Sequence, residues 1–284
     1  DLFPYSKGDV ARGFILKGTE EITTSIDENM TALQAMGGSK FVVPFLEDVK
    51  GWEKKLSTIG ECCDIWLVVQ RKWQYLEGIF VGSDDIRLQL PEAAKEFDRL
   101  DKTWMKIMND TQANVNAMEA CLAEGRVQTL TDMSVALDKC QKSLTDYLET
   151  KRNAFPRFFF ISDDELLSVL GTSDVTSIQE HMLKLFDNCA ELIFARNNKV
   201  VKGMISAEGE SFDFRTQVPV EGAVETWMLA VAGEMKVSLH QIMKEAVFYY
   251  PKNERLRWMD DSLGMCCQTG IKVWWTWEIE DVFR

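Results

Sequence analysis

CQKSLTDYLETKRNAFPRFFFISDDELLSVLG, residues 140–171, decides how the chain is built. A heptad-like apolar stripe, Leu130, Met133, Leu137, Cys140, Leu144 and Tyr147, runs into it as one helix. The basic pair Lys151-Arg152 closes that helix, where positive charge suits the C-terminal end of the dipole. Pro156 cannot continue it and pushes Phe155 toward extended geometry. With the chain extended, Phe158 and Phe160 alternate onto one side and are expected to insert into the core beneath. Phe155, Pro156, Phe158 and Phe160 therefore read as a structural junction. Ser162 and Glu165 have the spacing of a capping box, and Gly171 stands where a helix stops. The acidic run Asp163-Asp164-Glu165 fits a first helical turn better than a catalytic carboxylate pair.

Helical periodicity extends upstream. Ile22, Ile26, Met30, Leu33 and Met36 share a face. Phe45, Val49, Trp52, Leu56, Ile59, Cys63 and Trp66 step by four and three. A second stripe, Cys62, Trp66, Val69, Trp73, Leu76 and Phe80, continues it. These predict one very long helix, or two collinear ones with Gly51 and Gly60 as weak points. Pro91 opens the next helix. Its stripe runs from Phe97 through Leu100, Trp104 and Met108 to Val115, Met118 and Leu122, with Gly125 as its end. Three long amphipathic helices with short connectors describe an antiparallel bundle.

Downstream, Ser177 and Glu180 repeat the capping-box spacing ahead of Met182, Leu183 and Phe186. Lys199–Arg215, KVVKGMIS-AEGE-SFDFR, reads as a β-hairpin turning at Glu208-Gly209. It is the one convincing strand pair. Two strands alone are marginal in water, so the hairpin either clips its own bundle or docks on another domain. Val224, Trp227, Met228, Val231, Met235, Leu239, Ile242 and Ala246 form another helix closed by Pro251. Leu256, Met259, Leu263, Cys267, Ile271 and Trp274 form a last one. Three tryptophans in Trp274-Trp275-Thr276-Trp277 cannot all face one core, so a partner or further chain is expected over some of them.

The fold class is therefore mainly α: elongated antiparallel helical bundles with one β-hairpin. The segments are a long-helix bundle (1–153), an aromatic junction with short helices (154–196), the hairpin (197–221) and the last helices (222–284).

A net charge of −13 over 284 residues argues against nucleic acid, anionic lipid and the acidic microtubule lattice as direct partners. No apolar run has the length of a membrane span. The start at Asp1, without a leader-like run, reads as a soluble chain cut from something longer. Seven cysteines, two pairs of them adjacent (Cys62-Cys63 and Cys266-Cys267), read as reduced thiols.

The chemistry of an enzyme is not written here. There is no G-x-x-x-x-G-K-[ST] and no G-x-G-x-x-G; Gly37-Gly38-Ser39-Lys40 lacks the spacing. His181 and His240 are the only histidines and neither stands in a metal motif. No catalytic, cofactor or metal residue is assigned.

The opening stretch closely resembles the linker of dynein heavy chains. WLVVQRKWQYLEGIF (66–80) and LPEAAKEFDRLDKTWMKIM (90–108) are similar to the same linker. So are the hairpin residues Ser206 and Glu208-Gly209-Glu210, then Gly222, Val224-Glu225, Trp227, Arg257-Trp258 and Trp275-Thr276. FPRFFFISDDELLSVLG resembles the axonemal chains, and among them most the beta heavy chain type of the two-headed inner arm. The resemblance implies a partial linker domain. In the parent motor it would act as a lever bending and straightening across the AAA+ ring, in the cytoplasm of cilia and flagella, at the axoneme. It implies ATP and magnesium in the parent chain but none here, the ring of the same chain as partner, and light and intermediate chains bound through the parent tail. Under it, Glu208, Gly209 and Glu210 become an exposed contact turn for another part of the motor, with Phe212 and Phe214 on the packed face. The rival reading is a passive spectrin-like helical spacer, which an internal repeat would reveal; none is found. A helical enzyme with scattered catalytic residues is the other alternative.

Overall fold

The computed structural model describes all of residues 1–284. It separates into two compact units, Asp1–Asp146 and Tyr147–Arg284.

The first unit opens with a feature the helical stripes do not announce. Strand β1 (Leu2–Lys7) and strand β2 (Val10–Leu16) pair antiparallel around a Gly8-Asp9 turn. The expectation of a single β-hairpin is thus corrected: the chain has two small antiparallel sheets, of two and three strands. The short-range signal was present, since a two-residue Gly-Asp loop between apolar runs is a hairpin turn. Helix α1 (Glu20–Gly37) follows, then α2 (Leu46–Phe80), 35 residues without a break at Gly51 or Gly60. Short α3 (Asp84–Gln89) leads to α4 (Pro91–Ala113), α5 (Ala117–Leu122) and α6 (Arg126–Ala154).

The stripe expected to run from Phe97 to Leu122 is cut between α4 and α5. Asn114 accepts the Asn116 N–H, and Asn116 caps α5 by accepting the N–H groups of Met118 and Glu119. Asparagine side chains here outcompete the helical carbonyls.

The core is an aromatic seam between α2 and α4. Trp66 donates to Met108 Sδ at 3.3 Å, Trp73 stacks on Trp104 at 5.3 Å, and Phe80 stacks on Phe97 at 5.4 Å. As numbers rise on α2 they fall on α4, so the two run antiparallel. Along α2 the Cys62–Phe80 stripe is the buried one. In the other stripe Phe45 and Trp52 lie exposed. Lys72 of α2 reaches Ser134 at 2.9 Å and Asp138 at 2.6 Å on α6, while Arg126 covers Trp66, so α6 runs parallel to α2. Each such buried tryptophan removes ~150–250 Å² from water, an upper bound of roughly 4–6 kcal/mol.

The small sheet is sewn onto this seam. The Gln70 amide accepts the Leu16 N–H at 2.7 Å and donates to the Leu16 carbonyl at 3.0 Å. Arg12 bridges Glu77 at 3.1 Å and Asp101 at 2.9 Å, and Tyr5 donates to Glu77, whose side chain is 0% exposed.

In the second unit the end of α6 enters the aromatic block. Phe155 and Phe158 are buried, but Phe160 is 67% exposed, which corrects its expected insertion. Pro156–Phe160 winds as a 3-10 helix instead of an extended strand. Three residues per turn put Phe155, Phe158 and Ile161 inside, and Phe159 and Phe160 outside. Arg152 holds that turn, donating to the carbonyls of Phe158 (3.3 Å) and Ile161 (3.0 Å) and to Asp163 (2.6 Å).

The expected capping box forms at the start of α7 (Asp163–Leu170), with Ser162 and Glu165 bonding reciprocally. Glu165 is also bonded to Lys184, and these donors hold its carboxyl down to about 2 from the ordinary 4.5, the Lys184 contact being the largest cause. A depressed folded value means that its contribution is complete above about pH 4.5 and is lost as pH falls toward 2. Amide exchange in α7 is accordingly expected to accelerate over that window, while Glu165→Gln removes the pH step. The second box does not form. Asp174 caps the 3-10 helix Val175–His181 by accepting the Thr176 N–H at 2.9 Å, which places Ser177 inside that helix rather than before α8 (Met182–Leu185).

The expected hairpin exists as β4 (Val200–Ile205) and β5 (Ser211–Pro219), but β3 (Glu191–Ala195) joins it in the order β3-β4-β5. A third strand is what a two-stranded ribbon needs for stability. Gly203 faces Phe212 so closely that a Cβ would lie 2.4 Å from its carbonyl oxygen. Both outer edges are engaged by side chains at part of their length. Gln179 bonds the Leu192 N–H and carbonyl on β3. On β5, Ser238 and Glu234 of α9 (Val224–Tyr249) accept the Arg215 and Thr216 N–H groups. Such caps shorten the free hydrogen-bonding edge.

The expected last helix is two: α10 (Arg255–Asp260) and α11 (Gly264–Val282). Trp258 donates to the Ala246 carbonyl, and Trp274 to the Val247 carbonyl, both at 2.8 Å. Trp275 and Trp277 stay exposed, as three tryptophans in four helical residues require.

Candidate docking cleft at the β4–β5 turn

The turn between β4 and β5 is built around Ser206. Its N–H donates to the Glu210 carbonyl at 2.7 Å, its carbonyl accepts the Gly209 N–H at 3.0 Å, and its hydroxyl accepts the Glu210 N–H at 3.2 Å. Asn188 ties the turn down from outside. Its amide donates to the Glu208 carboxylate at 2.7 Å and accepts the Ala207 N–H at 3.3 Å. This bond, foremost, pulls the Glu208 carboxyl below its ordinary range.

Glu210 reaches across to another element. Its Oε1 accepts the Gly264 N–H at 2.8 Å, at the first turn of α11, which has no cap of its own. A carboxylate at that position satisfies a free donor and faces the positive end of the dipole. A Cβ at Gly264 would sit 3.2 Å from that oxygen, a tight contact that the Glu210 side chain would have to yield to. Burial and the same carboxylate raise the thiol pKa values of Cys266 and Cys267.

Beside the turn lies a cleft of about 610 Å³. Glu208, Glu210, Phe212, Met235 and Leu263 contribute to its walls, with Arg157 at one end. Arg157 is held in place: it donates to the Leu185 carbonyl at 2.8 Å and its guanidinium lies 4.4 Å from the Phe186 ring centroid. The structure thus brings together Glu208, Glu210 and Phe212 and leaves the other singled-out residues apart. Gly209 is the exposed tip, with φ +86°. Phe214 is buried and lies 5.9 Å from Phe212, off the cleft. Phe155 and Phe158 make an edge-to-face pair at 4.9 Å in the core, Pro156 opens the 3-10 turn, and Phe160 points to solvent.

Sequence reasoning missed Asn188, Arg157 and Gly264. Asn188 carried a signal, since asparagine tolerates the left-handed conformation it adopts, φ +60°. Gly264 carried none, because its partner lies 54 positions away. Replacing Glu210 by alanine should cost about 1 kcal/mol in urea unfolding, as loss of a helix cap does. Glu208→Ala should stay within about 0.5 kcal/mol. Equal costs at both positions would refute the capping role.

No group of three or more His, Cys, Asp or Glu side chains is arranged to hold a metal ion, and no helix is long and apolar enough to cross a membrane. All seven cysteines are free.

Comparison with known proteins adds an independent finding. Residues 1–246 match the family described as dynein heavy chain, N-terminal region 2. The chain is 57% identical over 284 residues to the dynein-1-alpha heavy chain of the flagellar inner arm I1 complex of Chlamydomonas reinhardtii, covering 100% of this chain. It is 52% identical to dynein axonemal heavy chain 10 of Homo sapiens, over 99% of this chain. Against the dynein-1-beta heavy chain of the same I1 complex the identity is 37% over 277 residues. The expected likeness to a beta chain therefore gives way to a greater likeness to the alpha chain. The chain spans 6% of the length of each of these relatives.

Proposed function

The chain belongs to the dynein heavy chain family, through that family's N-terminal region 2, and from that premise we propose that it is a section of the linker of an axonemal motor of the inner-arm alpha type. Its role is mechanical. In the parent motor the linker bends and straightens across the AAA+ ring as ATP is turned over, and ring motion becomes a stroke along the microtubule.

The observation that carries this reading is the agreement of essentially the whole chain with a flagellar and an axonemal heavy chain. The internal build supports it. Helix α2 alone is about 52 Å long at 1.5 Å per residue, and its stacked aromatic seam resists bending. ATP chemistry belongs to the parent's ring. This stretch is expected neither to bind nor to hydrolyse ATP and not to pellet with microtubules at low salt. Turnover abolished by a point substitution within residues 1–284 would defeat the reading.

The cleft beside Glu208 is the contact element we assign toward another part of the motor. Glu208→Lys is the informative variant, because Glu210 has a structural duty at α11. The whole motor carrying it should glide more slowly with an unchanged melting temperature; normal gliding with normal stability would show an inert loop. A passive spacer is separated from a lever by energy transfer between a dye on α1 and one on the ring. The lever requires a change between nucleotide states, and a constant signal would leave only the spacer.

A further inference from the structure

Helix α9 carries Lys236, His240 and Lys244 four residues apart on one line. All three are exposed, and none has a salt bridge or side-chain hydrogen bond. Lys236 lines the cleft at the β4–β5 turn, whereas His240 and Lys244, with Lys252, line a separate groove of about 560 Å³ that also includes Val247, Phe248 and Trp274. No carboxylate lines it. The floor is rigid: Trp274 is pinned to the Val247 carbonyl and stacks on Tyr250 at 5.7 Å, with their planes 6° apart. Lys252 lies across the Phe248 ring, 3.1 Å from its centroid.

We propose that this groove binds an acidic peptide segment carrying one bulky apolar side chain. The apolar side chain would lie on the Phe248–Trp274 floor, and flanking carboxylates would meet Lys244 and Lys252. In a chain of net charge −13 a basic rim with no carboxylate in the groove lining is a local exception. It attracts acidic groups only within about a Debye length, ~8–10 Å, so contact with the floor has to supply the rest of the affinity. A concave, rigid floor suits a side chain rather than a lipid surface. The site is distinct from the cleft at the β4–β5 turn and does not depend on the lever reading.

The test uses the 284-residue chain and a fluorescein-labelled octapeptide of seven glutamates around one central phenylalanine, followed by anisotropy. Binding is expected to weaken at least about tenfold in Lys244→Glu/Lys252→Glu and in Phe248→Ala, with an all-glutamate octapeptide binding weaker by a similar factor. These positions are exposed, so the variants should keep the parent's melting temperature. Equal binding of the all-glutamate peptide, or affinity unchanged in both variants, would overturn the proposal. So would the absence of peptide binding accompanied by variant-sensitive pelleting with phosphatidylserine vesicles, which would make the groove a membrane contact.

Discussion

Arg12→Ala is expected to destabilise the first unit by about 3–5 kcal/mol, the loss seen when one partner of a buried ion pair is removed. Arg12 is the one cation bonded to both Glu77 and Asp101. Glu77 has no exposure of its own, and without Arg12 it keeps only the Tyr5 hydroxyl and Lys7, which is 3.7 Å away with its side chain 41% exposed. Asp101 keeps only the Trp73 indole N–H at 2.9 Å. The strands β1 and β2 should loosen from α2 and α4 together, because Arg12 joins them to both. Arg12→Met combined with Glu77→Met should recover part of the loss, since Glu77 is then no longer an unpaired buried charge, while Asp101, 18% exposed, still lacks its cation. Urea unfolding of the two variants decides it. A loss below about 1 kcal/mol for Arg12→Ala would show that water already reaches Glu77.

The second large effect is expected at the aromatic block. Phe158→Ala should cost about 3–5 kcal/mol, because the side chain is 0% exposed and packs edge-to-face on Phe155. Phe160→Ala, two residues on, should cost within about 0.5 kcal/mol. The contrast tests the 3-10 turn itself. An extended strand would bury both residues and give similar losses, and equal costs would contradict the turn. Arg152→Ala should follow Phe158 in direction, since it removes donors to two carbonyls of that turn.

How much of this was legible depended on distance along the chain. Periodicity left α2 open as one helix or two, whereas the span of α9, the Cys62–Phe80 face and the Ser162–Glu165 cap are written in residues three and four apart. Their energies are local, so periodicity and capping chemistry determined them. The candidate cleft was half legible. Its turn residues Glu208 and Glu210 could be singled out, but the duty of Glu210 as the cap of α11 could not. Local chemistry also misled where two local forms compete. After Pro156 both an extended strand and a 3-10 turn satisfy proline, and only the carbonyl acceptors offered to Arg152 and the pocket around Phe158 favour the turn.

Read alone, the residues gave a mainly helical chain without nucleotide or metal motifs, the apolar faces of its long helices though not all of their ends, and, through resemblance, the family. Tertiary structure alone decided that the hairpin of residues 2–16 is held on α2 and α4, that Arg12 joins carboxylates 65 and 89 positions away, and that Glu210 caps a helix 54 positions on. The physical reason is that a strand pair, a buried ion pair and a borrowed cap have no stability within a short segment. They become favourable only when packing excludes water and brings distant partners within hydrogen-bonding reach.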